Sequence, residues 1–238
     1  MDSTVIATSL PAIAADIGTI PIALKLALTA YFVSLAIFIP ISGWMADRFG
    51  APNIFRIAIA VFVVGSIACA FSNSLPTFVF SRFLQGIGGS MMTPVARLVL
   101  LRATPRNELV SAMAWLTIPA LIGPLTGPPI GGFLTTYLSW HWIFWINVPI
   151  GIIGILLATR FLPPAETRSP RPIDLFGFVL TSIAFAGIIF GLSVISLPAI
   201  PTVVGYSAVV VGIAATLIYL GHARRTEYPT NPISHWFA

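Results

Sequence analysis

Ionisable side chains set inside long apolar runs are the residues best placed to do chemistry in this sequence. Asp2 lies about a dozen residues before the end of the first apolar run, which places its carboxylate near mid-membrane. A carboxylate at that depth must face protein or water, and there it is a proton or cation site. The competing reading is an N-terminal residue without a role. Arg82 lies about seven residues inside a later run, roughly 10 Å deep at the rise of an α-helix. Arg82, Gln85, Gly86, Gly89, Ser90, Thr93 and Arg97 recur at three- to four-residue spacing and share one helical face. Such a stripe does not face lipid. It lines a cavity or a helix contact, with close packing the better account of the glycines and snorkelling to the membrane surface an account of Arg97.

Two further runs carry polar or small residues in a pattern. Tyr31, Ser34 and Ser42 share a face of the run at 25–46, which Pro40 should bend; they are candidates for substrate contact or for interhelical hydrogen bonds. GPLTGPPIGG, from Gly123 to Gly132, would break a helix in water but persists, kinked and tightly packed, in a membrane bundle. Gly123, Gly127 and Gly131 form a seam for close helix approach. His141 and Asn147 are weaker candidates. The sequence has no nucleophile–base pair, nucleotide loop, zinc spacing or metalloprotease motif, and Gly86–Gly89 lies inside an apolar run rather than in a strand–turn–helix setting. No enzyme, metal or cofactor is expected.

The elements that must position these residues follow from composition. The 238 residues are 57% hydrophobic and 8% charged, with a mean hydropathy of +0.97. A soluble domain carries roughly 25% charged residues, so the chain cannot cover a water-soluble globule, and it is too apolar to be disordered. Cys69 is alone, which excludes an intramolecular disulfide. The class is an all-α integral membrane protein. Full-length apolar runs lie at 25–46, 54–72, 75–101, 109–136, 143–160, 175–196 and 203–221. The run at 1–14 rises only ~20 Å of a ~30 Å hydrocarbon core and reads as a helix cut off at its start. A signal peptide fits it poorly, because Asp2 stands where a positive segment belongs.

Charge sets the orientation. Nine of the twelve basic residues, from Arg48 and Arg56 to Arg224 and Arg225, fall in alternate loops, and the positive-inside rule assigns those loops to the cytoplasm. This distribution is a topology signal, not the one-sided basic surface of a nucleic-acid binder. Trp140, Trp142 and Trp145 read as an aromatic belt at the opposite surface. The expected organisation is a six-helix bundle over 1–160, a polar, Pro-rich linker over 161–174, a further helix pair over 175–221, and a tail over 222–238 leading to a ninth helix. The N-terminus, linker and tail are expected on the cytoplasmic side.

Four motifs resemble the major facilitator superfamily, and within it the fourteen-helix drug:proton antiporters of the EmrB/QacA type. MDSTVIATSLP (1–11) resembles the helix-one motif, with Asp2 as its acidic residue. GWMADRFG (43–50) is similar to the loop 2–3 signature at Gly43, Asp47, Arg48 and Gly50. RFLQGIGG (82–89) matches the helix-four motif at Arg82, Gln85 and Gly86. GPLTGPPIGG matches the helix-five antiporter motif at Gly123, Gly127, Pro128, Gly131 and Gly132. SWHWIFWINVPIG (139–151) adds a family-like stretch with His141 where Arg is usual. Two basic residues normally follow Gly50; here Ala51 and Pro52 do, and Arg56 is the candidate substitute.

The resemblance implies a major facilitator six-helix N-terminal bundle plus two further helices, with the second bundle absent, in a bacterial inner membrane. It implies alternating access, with proton entry coupled to export of amphipathic or hydrophobic drugs. Asp2 would be the protonatable site, Arg82 its partner, and Asp47 with Arg48 part of the cytoplasmic gate. Helix five would seal the two halves, and Tyr31, Ser34 and Ser90 would line the substrate cavity. Related Gram-negative pumps imply a periplasmic adaptor and an outer-membrane channel as partners. The rivals are a nutrient symporter or facilitator of the same fold, a membrane enzyme, and a non-transporting half-protein; the last predicts an open, one-sided cavity.

Overall fold

The computed structural model describes residues 2–162, 172–198 and 200–226, all helices and short connections. In chain order they are α1 (Asp2–Ile17), α2 (Lys25–Phe49), α3 (Ala51–Ala70), α4 (Leu75–Ala103), α5 (Leu109–Tyr137), α6 (Trp142–Trp145), α7 (Asn147–Phe161), α8 (Leu175–Val194) and α9 (Thr202–Ala223). Six spans among them are long and apolar enough to cross a membrane, with α6 and α7 counting as one over Trp142–Phe161. Of the eight apolar runs in the sequence, two are not among these six, one of them the run already too short to span. The first, α1, has only 16 residues. The second, α4, has 29 residues, which rise ~43 Å, but the polar stripe on its buried face lowers its hydropathy. The run at 143–160 divides at Ile146, because Pro149 has no N–H to offer the Trp145 carbonyl one turn back.

Local chemistry sets the corners. Gly50 joins α2 to α3 as a single residue at φ 85°, a conformation that L side chains rarely adopt. Ser74 caps α4 by accepting from Thr77 N–H at 3.4 Å, while Ser74 N–H donates to the Thr77 hydroxyl at 3.2 Å. Pro52 and Pro76 occupy the first turns of α3 and α4, where their missing donors cost nothing.

The helix α4 is the hub of the bundle. A Cβ on Gly65 of α3 would come 2.5 Å from Gln85 Cα, and one on Gly86 would come 2.8 Å from the Tyr31 carbonyl of α2. Glycine at these places lets α3 and α4, and α2 and α4, approach backbone to backbone. One core cluster gathers Val5, Ile13, Leu24, Phe78, Leu134 and Phe144. A second holds Ala46, Ile54, Ala58, Met91 and Val95. The pair α8–α9 packs through Gly187 and Gly191 against Gly205 and Gly212, and α8 lies against α2. The outer faces of α5, α7, α8 and α9 expose Trp115, Leu125, Leu156, Phe176 and Leu217, as suits surfaces wetted by lipid.

Trp140 departs from the aromatic-belt expectation. It is buried, meets Phe78 and Phe144 edge to face, and donates through Nε1 to Asp16 Oδ2 at 3.0 Å. The tie fixes the end of α1 to the turn before α6. Trp142 is exposed, as a belt residue should be.

Candidate functional site

The polar stripe of α4 splits by depth. Arg82, Gln85, Gly86 and Ser90 are buried, whereas Thr93 and Arg97 are exposed. Arg82 is the largest wholly buried side chain among the described residues. Its Nη1 donates to Gln85 Oε1, one helical turn along the same face. Its guanidinium carbon lies 4.3 Å from the centre of the Tyr31 ring, so α2 offers a π face to the cation. Gln85 Nε2 in turn donates to Ser66 Oγ of α3 at 2.7 Å, and Asn147 Nδ2 of α7 reaches the same oxygen at 3.3 Å. The result is a buried hydrogen-bonded line crossing α7, α3 and α4 and ending on an aromatic ring of α2. Hydrogen bonds and a π face meet part of the cost of holding a guanidinium away from water.

The other anticipated residues fall in separate places. Asp2 opens α1, but its side chain lies outside the described residues. Ser34 is wholly buried beneath Gly86, its hydroxyl without a hydrogen-bond partner among the described residues. Ser90 and Ser42 donate back to their own helices, to the Ile87 carbonyl and the Ile39 carbonyl, both at 2.6 Å. Gly131 is buried where a Cβ would meet Thr8 Oγ1 at 2.7 Å and the Val5 carbonyl at 2.9 Å of α1. Gly127 is also buried, Gly123 is half-buried, Pro128 is exposed, and a Cβ on Gly132 would meet open space. The glycine-rich part of α5 therefore seats that helix on α1.

At the end of the bundle rich in arginine, Asp47 Oδ1 accepts from Arg102 Nη2 at 2.5 Å, joining the ends of α2 and α4. Arg48 lies over the Trp44 and Phe49 rings, at 5.5 and 5.8 Å from their centres. Gly43 is exposed with open space around it, and Gly50 makes the turn. Arg56 donates to Asn53 Oδ1 and to the Ala158 carbonyl. The partner of Asp47 is thus Arg102, which the sequence presents only as one more basic loop residue.

Three surface grooves of about 490, 460 and 510 Å3 are lined respectively by residues around Trp142, around Leu157 and around Asn53. None of the three is lined by Arg82, Gln85 or Tyr31; their walls are mainly apolar, and the polar side chains they hold, Ser139 with His141 and Asn53 with Arg56, are paired with each other. The buried line on α4 is the better candidate site.

A family model described as Major Facilitator Superfamily matches residues 1–223. The chain belongs to the major facilitator superfamily. Among the superfamily's curated members, it is 43% identical over 227 residues to a protein of Pectobacterium atrosepticum named "Putative multidrug resistance protein MdtD", covering 95% of this chain and 48% of that one. A protein of the same name from Cronobacter sakazakii is 43% identical over 228 residues, with the same coverage. The chain spans about half the length of the curated relatives it matches. The solved structure of the POT family transporter PepTSo superposes with a TM-score of 0.60 at 18% identity, covering 95% of this chain and 52% of that one. That likeness speaks for the fold alone. The chain is therefore an all-α, multi-pass membrane protein of a major facilitator transporter family, not an enzyme family.

Proposed function

We propose that the complete gene product is a proton-coupled multidrug efflux transporter that exports amphipathic or hydrophobic compounds by alternating access. The observation that carries this reading is the wholly buried Arg82, anchored by Gln85 and Tyr31 within a helix bundle. A fixed interior cation is costly to keep, and an acidic residue elsewhere in the bundle is a natural counterpart for it. Asp2, on the first helix, is assigned that part. Protonation of Asp2 weakens its pull on Arg82 and deprotonation restores it, so each proton cycle biases the bundle between two arrangements. The name carried by the relatives supports drug-like molecules as the cargo.

In this reading Asp47, Arg48 and Arg102 belong to the cytoplasmic gate, and the arginine-rich end faces the cytoplasm. Helix α5 packs the two halves of the transporter, and Tyr31, Ser34 and Ser90 border the substrate path. A bacterial inner membrane, a periplasmic adaptor and an outer-membrane channel complete the proposed setting. Drug accumulation in cells expressing the complete gene tests it. Accumulation should be low with an intact proton gradient and should rise when an uncoupler collapses it. Accumulation that ignores both the gene and the gradient would contradict the reading.

A further inference from the structure

The Arg82 line does not end on its own helix. Gln85 can hold Arg82 only if its amide is fixed in one orientation, with Oε1 toward the guanidinium and Nε2 away from it. Ser66 fixes that orientation, because its oxygen accepts from Gln85 Nε2 at 2.7 Å. Asn147 Nδ2 of α7 donates to the same oxygen at 3.3 Å. Ser66, Gln85 and Arg82 are wholly buried, and Asn147 is half-buried.

The backbone is built to allow this. Gly65, beside Ser66, removes the Cβ that would otherwise meet Gln85 Cα at 2.5 Å, and Gly88 does the same against Ala58 and Phe62. Gly151, one turn after Asn147, admits Val63 of α3. On α3 the contacts run from Val63 to Ser66 as those on α7 run from Gly151 back to Asn147, so the two helices are antiparallel and in register at this oxygen. Two independent close approaches, α3 on α4 and α3 on α7, converge on one hydroxyl.

We infer that Ser66 and Asn147 are positioning residues for Arg82: they lock the Gln85 amide, and through it the guanidinium, in the orientation that proton coupling requires. This rests on the function proposed above. Neither residue has to touch substrate. Removing the Ser66 oxygen leaves the Gln85 amide with a buried, unmet donor and only the long 3.9 Å contact from the Cys69 thiol to Oε1, beside Arg82 itself, to orient it, so Arg82 loses its firmly fixed acceptor.

The test uses the complete gene product in liposomes with two readouts: drug movement driven by an imposed proton gradient, and drug exchange with no gradient. Ser66→Ala should lower the driven rate about tenfold while leaving exchange at the wild-type level. Ser66→Thr, which keeps an oxygen at that place, should recover most of the driven rate, and Asn147→Ala should lower it by a smaller factor. A purely structural role would lower both readouts together, and that outcome overturns the inference. So do driven rates at the wild-type level in both alanine variants. Should Ser66→Ala fail to reach the membrane, Asn147→Ala at its half-buried site decides on the same two readouts. An Arg82→Ala arm separates the two claims. Full driven efflux there defeats the proposed function itself; lost driven efflux there, with Ser66→Ala and Asn147→Ala unaffected, defeats only the positioning role.

Discussion

Asp47 and Arg102 stand 55 positions apart in the chain, yet their side chains meet at 2.5 Å across the ends of α2 and α4. Their side chains are 47% and 27% exposed, so water screens the pair and its share of stability is roughly 0–1 kcal/mol. Asp47→Asn should therefore leave the thermal midpoint of the detergent-solubilised protein nearly unchanged. If the pair belongs to a gate, the same variant should still lose efflux, and the exchange Asp47→Arg with Arg102→Asp should restore part of it. A large fall in the midpoint would make Asp47 a stability residue instead.

Gly131 and Gly132 provide a matched contrast on neighbouring positions. A side chain on Gly131 drives into Thr8 and Val5 of α1, whereas one on Gly132 enters open space. Gly131→Val should cost about 1–3 kcal/mol, as overpacking does, and reduce folded yield. Gly132→Val, the same substitution where a Cβ meets open space, should be near neutral. Size-exclusion profiles of the two variants, prepared side by side, give the comparison. Equal behaviour would mean that α5 can shift without loss.

Asp174 holds the pair α8–α9 at one end. Its Oδ1 accepts from the Gly177 backbone N–H at 2.8 Å, capping α8, and lies 2.9 Å from His222 Nε2 at the end of α9. The side chain is only 6% exposed. Asp174→Ala removes the cap and the link together and should cost about 1–3 kcal/mol, seen as a lower thermal midpoint. Asp174→Asn keeps a capping oxygen and should lose less.

Particular residues show how far the sequence reached. The apolar runs and the shared face of Arg82, Gln85 and Gly86 depend on local periodicity, which a sequence displays directly. The neighbours of that face depend on which helices meet. Nothing near Ser66 in the chain announces that Asn147, 81 positions later, reaches its oxygen. A hydroxyl beside Gly65 in an otherwise apolar run was the available signal. The sequence offers Arg56 as a stand-in for the basic pair missing after Gly50, but its contacts with Asn53 Oδ1 and the Ala158 carbonyl of α7 could not be read from the chain, because they depend on how α3 and α7 pack. Trp140 reads as a belt residue by composition, and only packing against Phe78, Phe144 and Asp16 reveals it as core.

The central claim is that a proton taken up by Asp2 and sensed by Arg82 drives drug export. The most direct measurement is simultaneous drug and proton flux in liposomes carrying the complete gene product, compared with its Asp2→Asn and Arg82→Lys variants. Lysine places a point charge where Gln85 and the Tyr31 face receive a planar guanidinium, so it is not an equivalent substitute. The account predicts linked, opposite fluxes in the wild type, with drug movement no longer responding to the proton gradient in either variant. Drug flux that still follows the gradient in Asp2→Asn would contradict it.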